Sequence, residues 1–437
     1  METDNIQERL FLEINKLVEN RWYFLQMQWP LLEHKFNHRT GIKNMKTNMR
    51  AVKDILLNML GYIPVFYFLV VLYGSAEYPG PYMEIDKGLL LLYQIVSGNT
   101  GTEMTEWMPY TSFYDLYKCF WITGKSKLLK KVKKDNECLF SNLKIRLLSA
   151  KLFNPDGFKN VTLFIDGHDS KIKYYNPDVS RKTLYSYKLK QPGVRTQTVN
   201  DPNEMILFVS NSEKCAMGND GTMFLKMNLF KKMHIADCLA ADGGYTLFVE
   251  KFKEMSSNSG YEFSDKNFSY PIRREPGTKL TATELTYNKK FGTFRSGNET
   301  LYANLASKFD RFNNNKAAIQ ISQIEVYNVQ MRVAILLMNM CKFVEKFKIE
   351  VQPHHMLWHN DNFEFPTKMT RINYVFLNEA KASQNYNEIM ELQEQFLNAT
   401  LDDNDNQIYI SSEDEQEDEL KHKKVKKVNA VRVEQYK

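Results

Sequence analysis

Cysteine is scarce and never clustered. The five residues (Cys119, Cys138, Cys215, Cys238, Cys341) are scattered through 437 positions without a CxxC pair. That leaves neither a disulfide framework nor a structural zinc site, and it favours a reducing compartment, cytosol or nucleus. No Walker A, GxGxxG or HExxH word occurs, so nothing marks a P-loop, a dinucleotide fold or a zincin. The first 50 residues lack the charged start, apolar run and small-residue cleavage site of a signal peptide. No internal repeat is visible. Long uncharged apolar runs are almost missing as well. The longest, Ile55 to Gly74, has 20 residues and is long enough to cross a bilayer. Asn58, Gly61 and Pro64 interrupt it and no basic cluster flanks it, so buried core helices bent near Pro64 are expected, not a membrane partner.

What is present is core material. With 43% hydrophobic and 13% aromatic residues the chain can bury more than one core, which excludes a wholly disordered or collagen-like protein. The net charge of +6 conceals an asymmetry. Ten acids and seven cations lie from Asp402 onward, so the first 401 residues carry 51 cations against 42 acids. An excess of that size suits a polyanion such as nucleic acid.

Five segments are expected. A helical extension covers 1–50, with apolar residues at helical spacing (Leu10, Ile14, Leu17, Val18, Trp22, Phe24, Leu25, Trp29). A helical domain covers 51–150. In it a helix from Lys87 to Val96, the breaker "SGNTG", a short helix capped by Thr102 and a third capped by Thr111 make a helix-turn-helix-like unit, equally readable as three core helices. It ends in "KSKLLKKVKK", whose six lysines offer either a phosphate-binding surface or a solvated helix face. An α/β domain covers 155–347, where the period becomes strand-like ("VTLFID", "KTLYSYKL", "RTQTVND", "MILFVSN"), then helical from Asn219 to Met233, then a buried strand in "DCLAADGGY". Its last helix carries an amphipathic stripe of Ile321, Ile324, Val326, Val329, Val333 and Leu337. A helical extension covers 348–400. The tail, 401–437, is acidic then basic and is expected to be disordered; its "KHKKVKK" suits a nuclear import receptor.

Two acids stand where strands are expected to end. Asp166 follows "VTLFI" and precedes Gly167, and Asp242 follows "CLAA" and precedes two glycines. An acid there is held by the sheet yet faces a cleft, with glycine giving a ligand room, although turn-forming aspartates look the same. Further on, Tyr302, Leu305, Phe309 and Phe312 follow helical spacing, so Glu299 sits near a helix start. Asn288, Arg295 and Glu299 fall within about 40° of one another if one helix runs throughout. Gly292 and Gly297 allow a break.

The order strand-Asp, hairpin strands, helix, strand-Asp, helix-Glu resembles the ribonuclease H-like DDE nuclease core, and the local words resemble those of Harbinger-type transposases. "FIDGHDS" is similar to the family's first motif and "AADGGY" to its second. The third pattern corresponds to Tyr287, Asn288, Arg295, Glu299, Tyr302, Leu305, Lys308 and Phe309, and "AILLMNMCKF" resembles the closing helix. The similarity covers roughly Asn160 to Phe347. Lys188 in "YSYKLK" and Asp220 in "GNDGTMF" match further family positions. Where the family has His-Ser after the Asn, this chain has Phe291 and Gly292.

The resemblance implies an α/β fold: a ribonuclease H-like mixed sheet flanked by helices, preceded by the all-α helix-turn-helix-like domain and followed by the disordered tail. It also implies a DDE-type DNA endonuclease or transposase working in the nucleus. Two divalent cations, Mg²⁺ or Mn²⁺, would be held by Asp166, Asp242 and Glu299, with Asp166 shared between them. Arg295 would contact phosphate or orient Glu299, with Asn288 and Lys188 completing the site. The implied partners are DNA, a separate Myb-like DNA-binding protein and further copies of the chain. A domesticated adaptor that binds DNA or chromatin without cutting it is the alternative. Two other constellations are weaker. His354, His355 and His359 read as packing histidines, and His168 beside Ser170 gives no triad.

Overall fold

The computed structural model describes residues 2–25, 49–74, 78–80, 82–173, 180–274, 277–297, 299–317 and 319–360. Trp29, most of the 348–400 extension and the whole 401–437 tail lie outside them.

Helix α1 (Glu2–Arg21) buries Leu10, Ile14 and Leu17. Helix α2 (Arg50–Leu60) stops at Gly61, whose φ of +79° favours a residue without a Cβ. After it α3 (Tyr62–Tyr67) and a π-helical turn to Tyr73 leave at 115°. The bend is therefore at Gly61 and not at Pro64, which sits in the first turn of α3 where a missing N–H costs nothing. Every residue from Ile63 to Val70 is buried. Among the described residues no single helix is long and apolar enough to cross a membrane.

Helix α4 (Glu84–Ser97) and α5 (Tyr110–Tyr117) flank a four-residue 3-10 turn, Glu103–Glu106, where a short helix was expected. Neither threonine caps as expected. The Thr100 N–H donates to Glu103 Oε2 at 2.6 Å, which closes the turn two residues before Thr102. Helix α5 begins directly after Pro109, so Thr111 already lies inside it. The lysine segment forms α6 (Lys125–Phe140). Lys125 pairs with Glu325 and Lys131 with Asp135 at 3.0 Å, while Lys127, Lys130, Lys133 and Lys134 lie exposed. Helix α7 (Leu143–Phe153), capped by the Asn142 side chain, packs on α1.

The sheet is mixed and curled. Strand β1 (Leu163–Lys173) leads through a short helix, α8 (Arg181–Leu184), to β2 (Tyr185–Ser186), β3 (Gln191–Asn200), β4 (Ile206–Val209) and β5 (Glu213–Lys214). Helix α9 (Asp220–Lys226), β6 (Leu239–Ala240), α10 (Val249–Ser257) and β7 (Phe268–Ser269) follow. Then come α11 (Ala282–Ser296), α12 (Glu299–Lys308), β8 (Ile319–Gln320), α13 (Ile324–Phe347) and α14 (Pro353–Met356). The central order is β4-β3-β1-β6-β7: β3 is antiparallel to β4 and β1, while β6 is parallel to β1 and β7. "KTLYSYKL", expected as one alternating strand, contributes α8 and only two residues of β2.

Helix α13 is buried on every side from Val329 to Met340, not along one stripe, because α6, α3 and the sheet edge enclose it. Its polar residues close the β4 edge. Asn339 Nδ2 donates to the Ile206 carbonyl (2.8 Å), and Oδ1 accepts the Ile206 N–H (2.9 Å). Arg332 Nη2 donates to the carbonyls of Val209 and Ser210 at 3.0 and 2.6 Å. Strand groups that would otherwise invite another chain are thereby satisfied. One buried cluster runs from Leu10 to Trp358, so the helices and the sheet share a continuous core.

Candidate active site

Backbone register brings the two aspartates together. The parallel pairing of β1 with β6 ends at Phe164↔Ala240. Asp166 and Asp242 are each two residues beyond that pair, at the same end of adjacent strands. Asp166 is not at a strand exit as expected. Strand β1 continues to Lys173 because β3 pairs with it as far as Lys171↔Gly193. What ends near Asp166 is the β6 pairing, and this opens the cleft. Asp242 follows its strand as expected, with its Oδ1 accepting the Gly243 N–H at 2.6 Å.

Arg295, in the last turn of α11, spans both acids. Its Nη1 is 3.6 Å from Asp166 Oδ1 and its Nη2 is 3.5 Å from Asp242 Oδ2. The side chain of Asp166 is 19% exposed against 58% for Asp242. Burial pushes the Asp166 carboxyl above its ordinary value, against the pull of Arg295, the Gly167 N–H and Lys188.

Asn288 and Arg295, seven residues apart on the unbroken α11, lie on one face as expected, but Glu299 is not on that helix. The helix breaks at Gly297, so α12 starts afresh at Glu299, whose side chain lies outside the described residues. Asn288 clamps the chain beyond β7: its Oδ1 accepts the Ile272 N–H at 2.7 Å and its Nδ2 donates to the Ile272 carbonyl at 2.9 Å. It thus ties the helix of Arg295 to the sheet. Lys188 is exposed and lines a cavity of about 340 Å³ with Asp166, His168, Tyr302 and Asn314.

Residues 165–339 match the family model described as DDE superfamily endonuclease. The match begins one residue before Asp166, contains all three expected acids, and ends at Asn339 in α13. No curated protein and no solved structure matches the chain.

Around these acids stands a second network, of which sequence reading had singled out only Asp220. Asp169, which faces Arg195 across β1 and β3, accepts from Arg195 Nε at 2.6 Å and Nη2 at 2.9 Å, and from Ser186 Oγ at 2.6 Å. Burial alone would raise the Asp169 carboxyl, but these donors hold it below its ordinary value. Arg195 Nη1 also reaches Asp220 Oδ1 at 3.2 Å. Asp220 explains Gly167, since a Cβ there would stand 2.8 Å from that same Oδ1. The signal available in sequence was the hairpin register, which pairs Asp169 with Arg195 once β1 is extended past Asp166.

Phe291 packs beside Phe158, Val161, Phe164, Cys238 and Ala240, so it serves a small core under the sheet. Its ring lies 5.8 Å from that of Phe158. His168 stacks on Tyr302 at 4.4 Å, and burial lowers its pKa to about 4, so the ring is neutral at pH 7. His355 is buried and its Nδ1 accepts the Gln352 N–H at 2.9 Å, while His359 meets Asp54 at 2.9 Å. Among the described residues no three His, Cys, Asp or Glu are grouped to hold a metal.

Helix α9, which carries Asp220, is fixed to the Asp242 turn through Gly221. A Cβ at Gly221 would lie 2.0 Å from the Phe248 ring. Gly221→Ala is expected to lower stability by about 1–3 kcal/mol, the usual penalty of overpacking, read as a lower thermal midpoint.

Proposed function

We propose that the chain is a metal-dependent DNA endonuclease of the DDE type, with a ribonuclease H-like core over 155–347 and a Harbinger-like origin. The observation that carries the proposal is the pair of register-matched aspartates joined by one guanidinium inside the DDE endonuclease match. The strand order β4-β3-β1-β6-β7, antiparallel between β1 and β3 and parallel from β1 to β6 and β7, supports the core assignment.

The residues fit a magnesium or manganese site. Asp166 and Asp242 supply hard oxygen donors from adjacent strand ends, and Mg²⁺ needs only one or two carboxylates beside water and substrate phosphate. Glu299, at the head of α12, is the third proposed ligand. A pair of such cations would activate a water and stabilise the departing 3′ oxygen. The chain's own work is to hold the acids in place. Gly167 and Gly243 N–H groups donate to the two carboxylates, and Asn288 keeps α11 against the sheet. Arg295 offsets one of the two negative charges and would contact the phosphate, and Lys188, which lines the cavity with Asp166, would do so too.

The helical segments 1–50, 51–150 and 348–400 are proposed to flank this unit, with DNA, a Myb-like protein and other copies of the chain as partners and the nucleus as the place of action. The adaptor reading has one observation in its favour, namely that Arg295 already pairs with both acids. The purified full chain is expected to nick supercoiled plasmid DNA with Mg²⁺ or Mn²⁺ and not with EDTA. DNA binding without nicking under either metal would reject the nuclease and leave the adaptor.

A further inference from the structure

The turn between β2 and β3 reaches the cavity of Asp166 through Lys188 and carries an unusual surface. Tyr187 at its tip is 77% exposed, the most exposed of the chain's large hydrophobic side chains among the described residues. Its ring meets the edge of Tyr185 at 5.2 Å. Arg181, Lys182, Lys188 and Lys190 flank it in sequence, all exposed, with no acid in the segment 181–190. Among the described residues none of the four has an ion-pair partner.

The turn is rigidly mounted. Ser186 Oγ donates to Asp169 Oδ2 at 2.6 Å and accepts the Leu189 N–H at 3.0 Å. Asp169, three residues along β1 from Asp166, is itself gripped by Arg195. The tip is thus locked to the strand that holds the candidate catalytic acid, and Lys188 lines the same cavity as Asp166.

From this we propose that the Arg181–Lys190 segment holds an unpaired stretch of the DNA strand being cut. Tyr187 stacks on one base, and Lys182, Lys188 and Lys190 meet the phosphates on either side. An aromatic ring on a convex tip reaches the face of a base only when that base is out of the duplex, and exposed cations with no ion pair among the described residues suit a phosphate track, Lys188 acting on Asp166 only at longer range. The inference rests on the DNA-directed reading of the site.

The test measures anisotropy of a fluorescein-labelled mixed-sequence 20-nucleotide DNA strand, the same sequence as blunt duplex, and the same sequence as RNA, in Ca²⁺. Wild type is expected to bind the DNA strand more tightly than the duplex. Tyr187→Ala should weaken that binding about tenfold while Tyr187→Phe stays within about twofold, because a stacked base typically contributes that much. Lys182→Gln and Lys190→Gln should each reduce the slope of log affinity against log salt by about 0.7. All four variants should melt as wild type does. The proposal is overturned if Tyr187→Ala binds like wild type, if the duplex or the RNA is bound as tightly as the DNA strand, or if no DNA binds. The nuclease reading fails separately: absence of Mn²⁺-dependent plasmid nicking, with the Tyr187 effect intact, would remove cleavage and leave the turn's role standing.

Discussion

Asp166→Asn is expected to cut metal-dependent plasmid nicking at least about a thousandfold, while DNA binding in Ca²⁺ and the thermal midpoint stay near wild type. At 1.36 kcal/mol per decade that loss is about 4 kcal/mol of transition-state stabilisation, in keeping with the several kcal/mol a metal site provides. The substitution is close to isosteric, and the Gly167 N–H that donates to Oδ1 at 2.9 Å keeps an acceptor. What disappears is the negative charge that opposes Arg295 and would ligate a cation. Asp242→Asn should behave similarly with a smaller structural effect, since Asp242 is more exposed. The adaptor reading gives a different result: neither substitution matters, because the wild type does not nick. Nicking by wild type that survives both substitutions would show that some other part of the chain cuts.

Most of the legible signal lay in words flanked by strands. "VTLFID" and "CLAAD" carried the apolar runs and the acids, and the parallel register that aligns them follows from both runs being buried. Three features were less accessible. The extension of β1 to Lys173 depends on pairing with β3, a tertiary fact that no local pattern in "GHDSKIK" announces. The break at Gly297 was weighed but not resolvable, since glycine is tolerated within helices and α11 in fact runs through Gly292. The helix α13 gave an amphipathic stripe, yet its Gln330, Arg332 and Asn339 are buried because they satisfy strand-edge and loop groups from another part of the chain. Periodicity registers polarity and has no access to such partners. The Asp169–Arg195–Asp220 network was missed for the same reason: its members are distant in sequence and adjacent only through the hairpin and the placement of α9.

Arg146→Met should destabilise the fold by about 3–5 kcal/mol, the usual cost of leaving one member of a buried ion pair unpaired. Arg146 on α7 and Asp237 just before β6 are both almost fully buried, with Nε–Oδ1 and Nη2–Oδ2 contacts of 2.7 Å each. Asp237 also accepts the Thr162 hydroxyl and the His234 N–H at 2.8 Å, so the pair locks the starts of β1 and β6, a few residues ahead of Asp166 and Asp242. A doubly substituted Arg146→Met, Asp237→Leu chain should recover part of the loss. It cannot recover all of it, because the Thr162 and His234 donors lose their acceptor. The pair also fixes the acid response. Burial would raise the Asp237 carboxyl, but Arg146 and the His234 N–H bring it below its ordinary value. A depressed folded pKa means the stabilisation is complete above the unfolded carboxylate value of about 4 and is lost only as pH falls through the lower folded value. Without Arg146, burial raises the Asp237 carboxyl of the variant, so the gap between thermal melts of wild type and Arg146→Met should be largest at neutral pH, narrow as the variant's Asp237 takes up its proton, and close below about pH 4 as the wild-type carboxylate does. A gap that stayed constant down to pH 3 would show that the Asp237 charge does not carry the stabilisation.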